Sequence, residues 1–261
     1  MADPQPIRFK DGAAYELTMG KWSHLVGGRF VDWLAPPAGL AWVDVGCGNG
    51  AFTELLVERC APSSVDGIDP SEGQLAFART RAGAAGARFQ VGDATALPYA
   101  DKMFDAAVMA LVIFFVPDPV KGVAEMRRVV KSGGIVAAYA WDVTRGGAPF
   151  EPIWDEMRRL GVEPAQPPSK DVSRIEGLAR LWRDAGLLSV ETREIVVERG
   201  FASFEHFWTA TTAHNVNVAI EAMTAEQQAQ LKARVQARMP TDAAGRVAFT
   251  SKANAVKGRV A

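Results

Sequence analysis

Histidine, cysteine and net charge are all scarce in this 261-residue chain, which has three histidines, two cysteines and a formal charge of −1 from 29 basic and 30 acidic residues. Two cysteines, Cys47 and Cys60, exclude a disulfide framework and fit a reducing compartment. The near-zero charge gives no footing for a protein built to grip nucleic acid or anionic lipid, so no nucleic-acid partner is expected. No long hydrophobic run occurs either. The longest, residues 106–116, is closed by Pro117 and Asp118 and falls short of the roughly 20 residues a membrane helix needs. It reads as a buried strand running into a short turn, and no membrane span is expected. The first thirty residues carry Asp3, Asp11 and Glu16 and lack the apolar centre of a signal peptide, so a cytoplasmic location is expected. Repeats and low-complexity tracts are absent, and nothing signals an oligomeric state. What remains is ordinary for a globular chain: 48% hydrophobic and 23% charged residues, with 24 glycines and 15 prolines. The length allows one large domain or two small ones.

Strand-like and helix-like segments alternate through the first half. Short apolar runs at 41–45, 64–69, 88–91, 104–111 and 135–141 are separated by helical patterns at 51–60, 72–81 and 119–131. On the last of these helices Val120, Val123, Met126 and Val130 share a face, and Gly133-Gly134 marks the stop. Parallel neighbours need crossover connections, so this order predicts an α/β fold with a mostly parallel sheet covered on both faces. Helices are expected around 154–160 and 175–184, and a β-branched strand at 190–197. Thr224 and Gln227 have the spacing of a capping box and open a helix toward Met239, closed by Pro240. A last strand follows from Val247, where Val247, Phe249, Ala253 and Ala255 alternate with Thr250, Lys252 and Asn254, the period of a half-exposed strand.

Three carboxylates punctuate the first three strands. Asp44, Asp69 and Asp93 stand near the carboxyl ends of those strands, one strand–helix unit apart. In open α/β sheets ligands bind outside that edge, so the trio predicts one site. Between the first strand and the first helix of the alternation stands Asp44-Val45-Gly46-Cys47-Gly48-Asn49-Gly50. Glycines let such a turn bring backbone close to a ligand, and the following helix N-terminus offers unpaired N–H donors. Gly46, Gly48 and Ala51 also satisfy the dinucleotide-binding pattern, so a nicotinamide-dependent oxidoreductase stays open on these residues alone.

The Asp44-x-Gly46-x-Gly48-x-Gly50 turn resembles the first motif of the class I S-adenosylmethionine-dependent methyltransferases. Gly67-Ile68-Asp69-Pro70-Ser71 is similar to that family's second motif. Gly92-Asp93-Ala94, with Leu97-Pro98 and Phe104-Asp105, is similar to its third and fourth, and residues 125–134 resemble the helix and turn before its fifth strand. The nearest subgroup is the bacterial small-molecule set related to ubiquinone and menaquinone biosynthesis methyltransferases. The resemblance implies a Rossmann-like sheet of seven strands, mostly parallel with an antiparallel last strand. It also implies an N-terminal helical segment (1–40) over the cofactor site and a methyltransferase domain (41–261) with a helical cap inserted at about 203–239.

The implied cofactor is S-adenosyl-L-methionine and the implied partner a small-molecule acceptor, apolar or aromatic, methylated by in-line displacement. Gly46, Cys47, Gly48 and Gly50 would offer backbone to the methionine part, with Asp44 near its ammonium group. Asp69 would take the ribose hydroxyls, Pro70 and Gln74 would border adenine or ribose, and Gly92, Asp93 and Ala94 would meet the adenine. Ala110 and Leu111 would face the methionine end, with Trp22 and Arg29 as weaker contacts closing the site. Phe114-Phe115 stands where many relatives carry histidine and cannot abstract a proton. Phe114, Phe115, Phe207 and Trp208 are read as acceptor-pocket wall. His24, His206 and His214 are the weak candidates for a base, and no metal is expected. A cofactor-binding protein without catalysis is the alternative that the missing histidine keeps open.

Overall fold

The computed structural model describes residues 16–212 and 219–261, so His214 lies outside the described residues. The described residues form one seven-stranded sheet: β1 (Ala41–Val45), β2 (Ser64–Asp69), β3 (Arg88–Val91), β4 (Phe104–Ala110), β5 (Val130–Trp141), β6 (Leu188–Phe201) and β7 (Val247–Arg259). Their order across the sheet is β3-β2-β1-β4-β5-β7-β6. Neighbours from β3 to β5 pair in parallel, and β7 runs antiparallel to both β5 and β6. The expected architecture with its antiparallel last strand is the observed one.

The helices are α1 (Lys21–Leu34), α2 (Ala51–Cys60), α3 (Glu72–Ala78), α4 (Pro119–Val129), α5 (Glu151–Arg159), α6 (Ile175–Asp184), α7 (Phe204–Thr212) and α8 (Ala225–Arg238). The chain winds outward from β1 to β3, then returns to place β4 on the other side of β1. That reversal puts the topological switch point between β1 and β4, where open α/β sheets bind ligands at the carboxyl ends of the strands. β1 and β4 are central and covered on both faces; Val43, Val45, Ala107 and Val108 are all fully buried.

Local chemistry explains most of the boundaries. Asp118 caps α4 by accepting from the Lys121 N–H (3.0 Å), and Pro119 occupies the first turn, where its missing N–H costs nothing. The other end of α4 differs from expectation. The helix stops at Val129, and Val130 already pairs with Phe104, so β5 begins there rather than after the glycines. Gly133, at φ +77°, sits within the strand and donates to the Val260 carbonyl (2.9 Å). Sheet pairing has overridden the helical periodicity. Val120 consequently lies 63% exposed, and the buried stripe of α4 is Gly122, Val123, Met126 and Val129.

Three further elements shift. The helix expected over 72–81 ends at Ala78 and gives way to a 3₁₀ turn at Ala82–Ala84. β6 is longer than the 190–197 pattern because it pairs with β7 along most of its length. Asn254, expected on the solvent side of β7, is buried, and its amide donates to the Ser173 carbonyl (2.8 Å) under the α6 connection. The half-exposed period of β7 therefore fails where both faces are covered.

Thr224 and Gln227 form the capping box of α8 as the spacing predicts: the Gln227 N–H donates to the Thr224 hydroxyl (3.2 Å) and the Thr224 N–H to the Gln227 side-chain oxygen (2.9 Å). Thr224→Ala should cost about 1 kcal/mol of local helix stability, read as roughly fivefold faster amide hydrogen exchange in the first turn of α8.

Candidate functional site

The turn after β1 is built by backbone geometry that side chains would obstruct. The N–H groups of Gly46 and Cys47 both donate to the Ile68 carbonyl (2.7 and 3.0 Å), folding the turn across the end of β2. Gly46 sits at φ +75°, and a Cβ there would lie 2.5 Å from a Val112 methyl. Gly48, at φ +52°, is different: a Cβ there would meet nothing nearer than the Gln74 side-chain oxygen at 3.8 Å. Its α-carbon faces open space. Asp69, at the end of β2, then anchors the turn, one oxygen accepting from the Gly48 N–H (2.9 Å) and the other from the Ser71 N–H (2.8 Å).

That open space is a cavity of about 580 Å³ at the carboxyl ends of β1 to β4. Asp44, Gly46, Cys47, Gly48, Asp69, Pro70, Gln74, Gly92, Asp93, Ala94, Ala110 and Leu111 all line it, as does Phe115. The three strand-end carboxylates are thus brought to one wall. Leu111 adopts a left-handed φ of +62°, a conformation worth about 1–3 kcal/mol of strain in a non-glycine residue and characteristic of functional sites. Its N–H donates to the Tyr139 carbonyl (2.8 Å), which holds the turn after β4 against β5.

The electrostatics of the wall are unusual. Asp44 is fully buried, and its Oδ2 accepts from the Thr53 hydroxyl (2.7 Å) while Oδ1 has no partner. Burial raises its carboxyl to about 7, against the Thr53 hydrogen bond that favours the charged form; the nearby Asp69 adds to the rise. Asp69 is also raised, by burial, although two backbone N–H groups oppose it. Asp93 is lowered by the N–H and hydroxyl of Thr95, both 2.7 Å from Oδ1. The Cys47 thiol is pushed well up by burial and by the two carboxylates, so it stays protonated and is no nucleophile. Gln74 is buried with both amide atoms unpartnered. No lysine or arginine lines the cavity among the described residues. A cationic ligand suits such a wall; a pyrophosphate beside Asp44 does not.

Other candidate residues lie elsewhere. Gly50 starts α2 and abuts Ala78, where a Cβ would come within 2.9 Å. Trp22 is buried against Trp141, Phe201 and Phe249, with ring centroids 6.2–6.4 Å apart. Arg29 and His24 are exposed on α1 away from the cavity wall. Phe114 packs into the core with its ring 4.4 Å from that of Phe115, which alone of the pair lines the cavity. Phe207 and Trp208 do not line it either; on α7 both rings pack with Phe204 of the same helix, and Phe207 also with Phe201 and Phe249. His206 accepts from the Ala202 N–H (3.2 Å) and caps its own helix start.

Sequence reasoning missed Ser23, Asn49, Phe52, Val112, Val116, Pro117 and Tyr139 on the cavity wall. Tyr139 was findable, since it stands at the carboxyl end of a strand already recognised. Asn49 donates to Glu16 (2.9 Å), and Arg81 donates to Glu16, to Glu54 (2.8 Å) and to the Asn49 carbonyl (2.6 Å), so the N-terminal segment is stitched to the rim.

A family model described as a methyltransferase domain matches residues 43–138, the stretch from β1 into β5. The chain is 40% identical over 93 residues to 2-methyl-6-phytyl-1,4-hydroquinone methyltransferase 2 of Oryza sativa subsp. japonica, a match covering 36% of this chain and 27% of that protein. It is 35% identical over 177 residues to demethylmenaquinone methyltransferase of Renibacterium salmoninarum, covering 64% of this chain and 70% of the relative. Among solved structures, the YcgJ protein from Bacillus subtilis superposes with a TM-score of 0.58 at 18% identity, covering 91% of this chain and 98% of that one. At that identity the likeness is one of fold.

The two glycines should separate folding from binding. Gly46→Ala has both an unfavourable φ and a clash with the stiff Val112 side chain, and should lower the melting temperature by several degrees. Gly48→Ala should cost only about 1 kcal/mol in stability while placing a methyl in the cavity. Its affinity for S-adenosylhomocysteine should fall at least about tenfold by calorimetry.

Proposed function

The chain belongs to the class I S-adenosylmethionine-dependent methyltransferases, and we propose that it transfers a methyl group from S-adenosylmethionine to a small hydroxylated aromatic or quinol-type acceptor. One observation carries the cofactor half of this reading: the buried, unpartnered Oδ1 of Asp44 beside an open glycine turn. Leaving a buried acceptor unsatisfied costs about 1–3 kcal/mol, and an amino-acid ammonium group supplies both the hydrogen bond and the opposite charge. The acceptor half is supported by the quinol and quinone methylation for which the relatives are named and by the apolar lip of Val112, Phe115, Val116 and Pro117.

In this reading Asp44 fixes the methionine end. Asp69 holds the turn through its two N–H bonds and presents its remaining lone pairs to the ribose hydroxyls. Asp93, kept ionised by Thr95, and the Ala94 N–H read the adenine edge, and Gln74 offers its free amide between them. The bound cofactor supplies an already activated sulfonium methyl. The chain's work is then positioning and exclusion of water, which can account for most of a displacement's acceleration. No histidine lines the cavity among the described residues, so the favoured acceptor is one whose attacking atom gives up its proton readily, as an acidic phenol or quinol does. In this reading the described part of the N-terminal segment, residues 16–40, covers the rim through Ser23 and Glu16, while the expected cap at about 203–239 puts none of its described residues on the cavity wall.

The test of activity is transfer of a labelled methyl from S-adenosylmethionine, by the full chain, to a panel of alkylated 1,4-hydroquinones, catechols and phenols. Turnover of at least one aromatic hydroxyl compound or its ring carbon is expected, and labelling confined to amines would refute the acceptor class. A second prediction concerns pH. Asp44 holds a proton below about pH 7 in the free protein, and an ammonium ligand needs it ionised. Affinity for S-adenosylhomocysteine should therefore rise from pH 5.5 toward pH 8 and then level, with proton uptake by buffer measurable in calorimetry below pH 7. Asp44→Asn should bind weakly and lose that slope.

A further inference from the structure

One guanidinium ties three elements together behind the glycine turn. Arg81, between α3 and the 3₁₀ turn at Ala82–Ala84, has a side chain only 11% exposed. Its Nε donates to the Asn49 carbonyl (2.6 Å), its Nη1 to Glu54 of α2 (2.8 Å) and its Nη2 to Glu16. Glu54 is itself held by the Gly83 N–H (3.2 Å), and the guanidinium lies over the Phe77 ring, 5.3 Å from its centroid. A planar fork aimed at three acceptors has one orientation, which a lysine could not reproduce.

The two ends of this brace do different work. Asn49 is buried, lines the cavity and belongs to the same turn as Gly46 and Gly48. Glu16 belongs to the N-terminal segment and opens a π-helical turn, Glu16–Gly20, that leads into α1, whose Ser23 lines the cavity. Turns of this kind are frequent at functional sites. The Glu16 carboxylate accepts from both Arg81 and the Asn49 amide (2.9 Å), yet its side chain is 40% exposed. Gly20 provides its seat, since a Cβ there would lie 2.5 Å from the carboxyl carbon. On its other side the turn is held by Arg199, a buried cation that no carboxylate pairs with among the described residues, whose Nη1 donates to the Thr18 carbonyl (3.1 Å). The turn is thus fastened once in the core and once at a wet rim. Water and salt weaken the rim contact far more than the buried one.

We infer that Arg81 is a positioning residue for the cofactor: it braces the glycine turn through Asn49 and latches residues 16–20 across the rim through Glu16, so that release of the bound cofactor waits on the opening of that ion pair. The inference rests on the methyltransferase reading above and adds to it a determinant of how long the cofactor stays. Arg81, Glu16 and Gly20 do not line the cavity, so substituting them leaves its wall unchanged. Opening the latch frees the segment that carries Ser23, and the site loses its cover before it loses any contact of its own.

The probe is labelled S-adenosylhomocysteine bound to the full chain, its dissociation followed after dilution into excess unlabelled compound. Glu16→Ala and Gly20→Ala should each release it about fivefold or more faster than wild type. Raising NaCl from about 0.05 M to about 0.5 M should speed wild-type release toward the variants' rate and change theirs less than about twofold. Gly20→Ala keeps both charges and replaces a glycine of helical backbone. Its melting temperature should therefore hold or rise while release quickens, a combination that general loss of structure does not produce. Arg81→Met, which removes brace and latch together, should release faster than either. Release within about twofold of wild type in both Glu16→Ala and Gly20→Ala overturns the inference, as does one salt response shared by wild type and variants. Faster release in either variant alone also overturns it, because carboxylate and seat would then act separately. Failure of the wild-type chain to bind S-adenosylhomocysteine refutes the cofactor reading instead, and shows before any variant is made.

Discussion

A buried carboxylate with one satisfied oxygen, on a central strand of the sheet, organises this protein. Asp44 occupies a β1 position flanked by β2 and β4, between Val43 and Val45, which are both fully buried. A hydrophobic residue would fill that position at lower cost to folding. The cost is moderated locally: Thr53, from the first turns of α2, donates to one oxygen, and burial holds much of the population neutral near pH 7. The second oxygen has no partner, and Asp44 itself lies on the cavity wall. Stability has been given up at the one point where a positively charged ligand group would restore it.

Neighbouring features follow from keeping the cavity beside Asp44 clear. The chain must leave β1 without covering Asp44, so the turn folds back over β2 through two N–H groups on one carbonyl, and Asp69 clamps it from below. Clearance at Gly46 and openness at Gly48 are different demands made on the same residue type, one steric and one functional. Across the switch point, Leu111 accepts a left-handed conformation so that the backbone after β4 turns beside the cavity rather than into it. Both strand ends are shaped to leave space.

Much of this was legible in the residues. The alternation of strands and helices, the glycine turn and the strand-end carboxylates are set by local sequence, and β1, β2, β3, α2 and α6 begin and end where the pattern predicts. What local pattern could not carry was competition between elements. Val130 belongs by periodicity to α4 but is captured by Phe104 across the sheet, and Asn254 reads as a solvent residue until the α6 connection covers it. The same limit applies to the site. Residues in motifs reach the cavity, whereas Trp22, Phe207 and Trp208, selected as aromatics in suggestive places, find one another and form core. An aromatic ring carries no directional demand, so its sequence neighbourhood does not say which side it will bury.

The two unmet charges bear on each other through distance. Asp44 and Arg199 have opposite sign, yet β1 and β6 are separated by β4, β5 and β7, four spacings or about 19 Å across the sheet, and the register sets Arg199 eight residues farther along β6 than the level of Asp44. Together these put the two groups about 30 Å apart, where the attraction is about 0.5 kcal/mol for an effective dielectric constant of 20, too little to offset burial of either group. Moving them together is not an option, because both are fixed on strands of one continuous sheet. Each must therefore be answered where it stands. In the reading above a ligand cation answers the carboxylate at the switch point, whereas the guanidinium is met by the Thr18 carbonyl and the rings of Phe201 and Trp22. Ala110, Leu111, Phe115 and Tyr139 line the cavity on the β4 and β5 side of Asp44, the stretch of wall over which a methyl group would leave the cofactor in that reading.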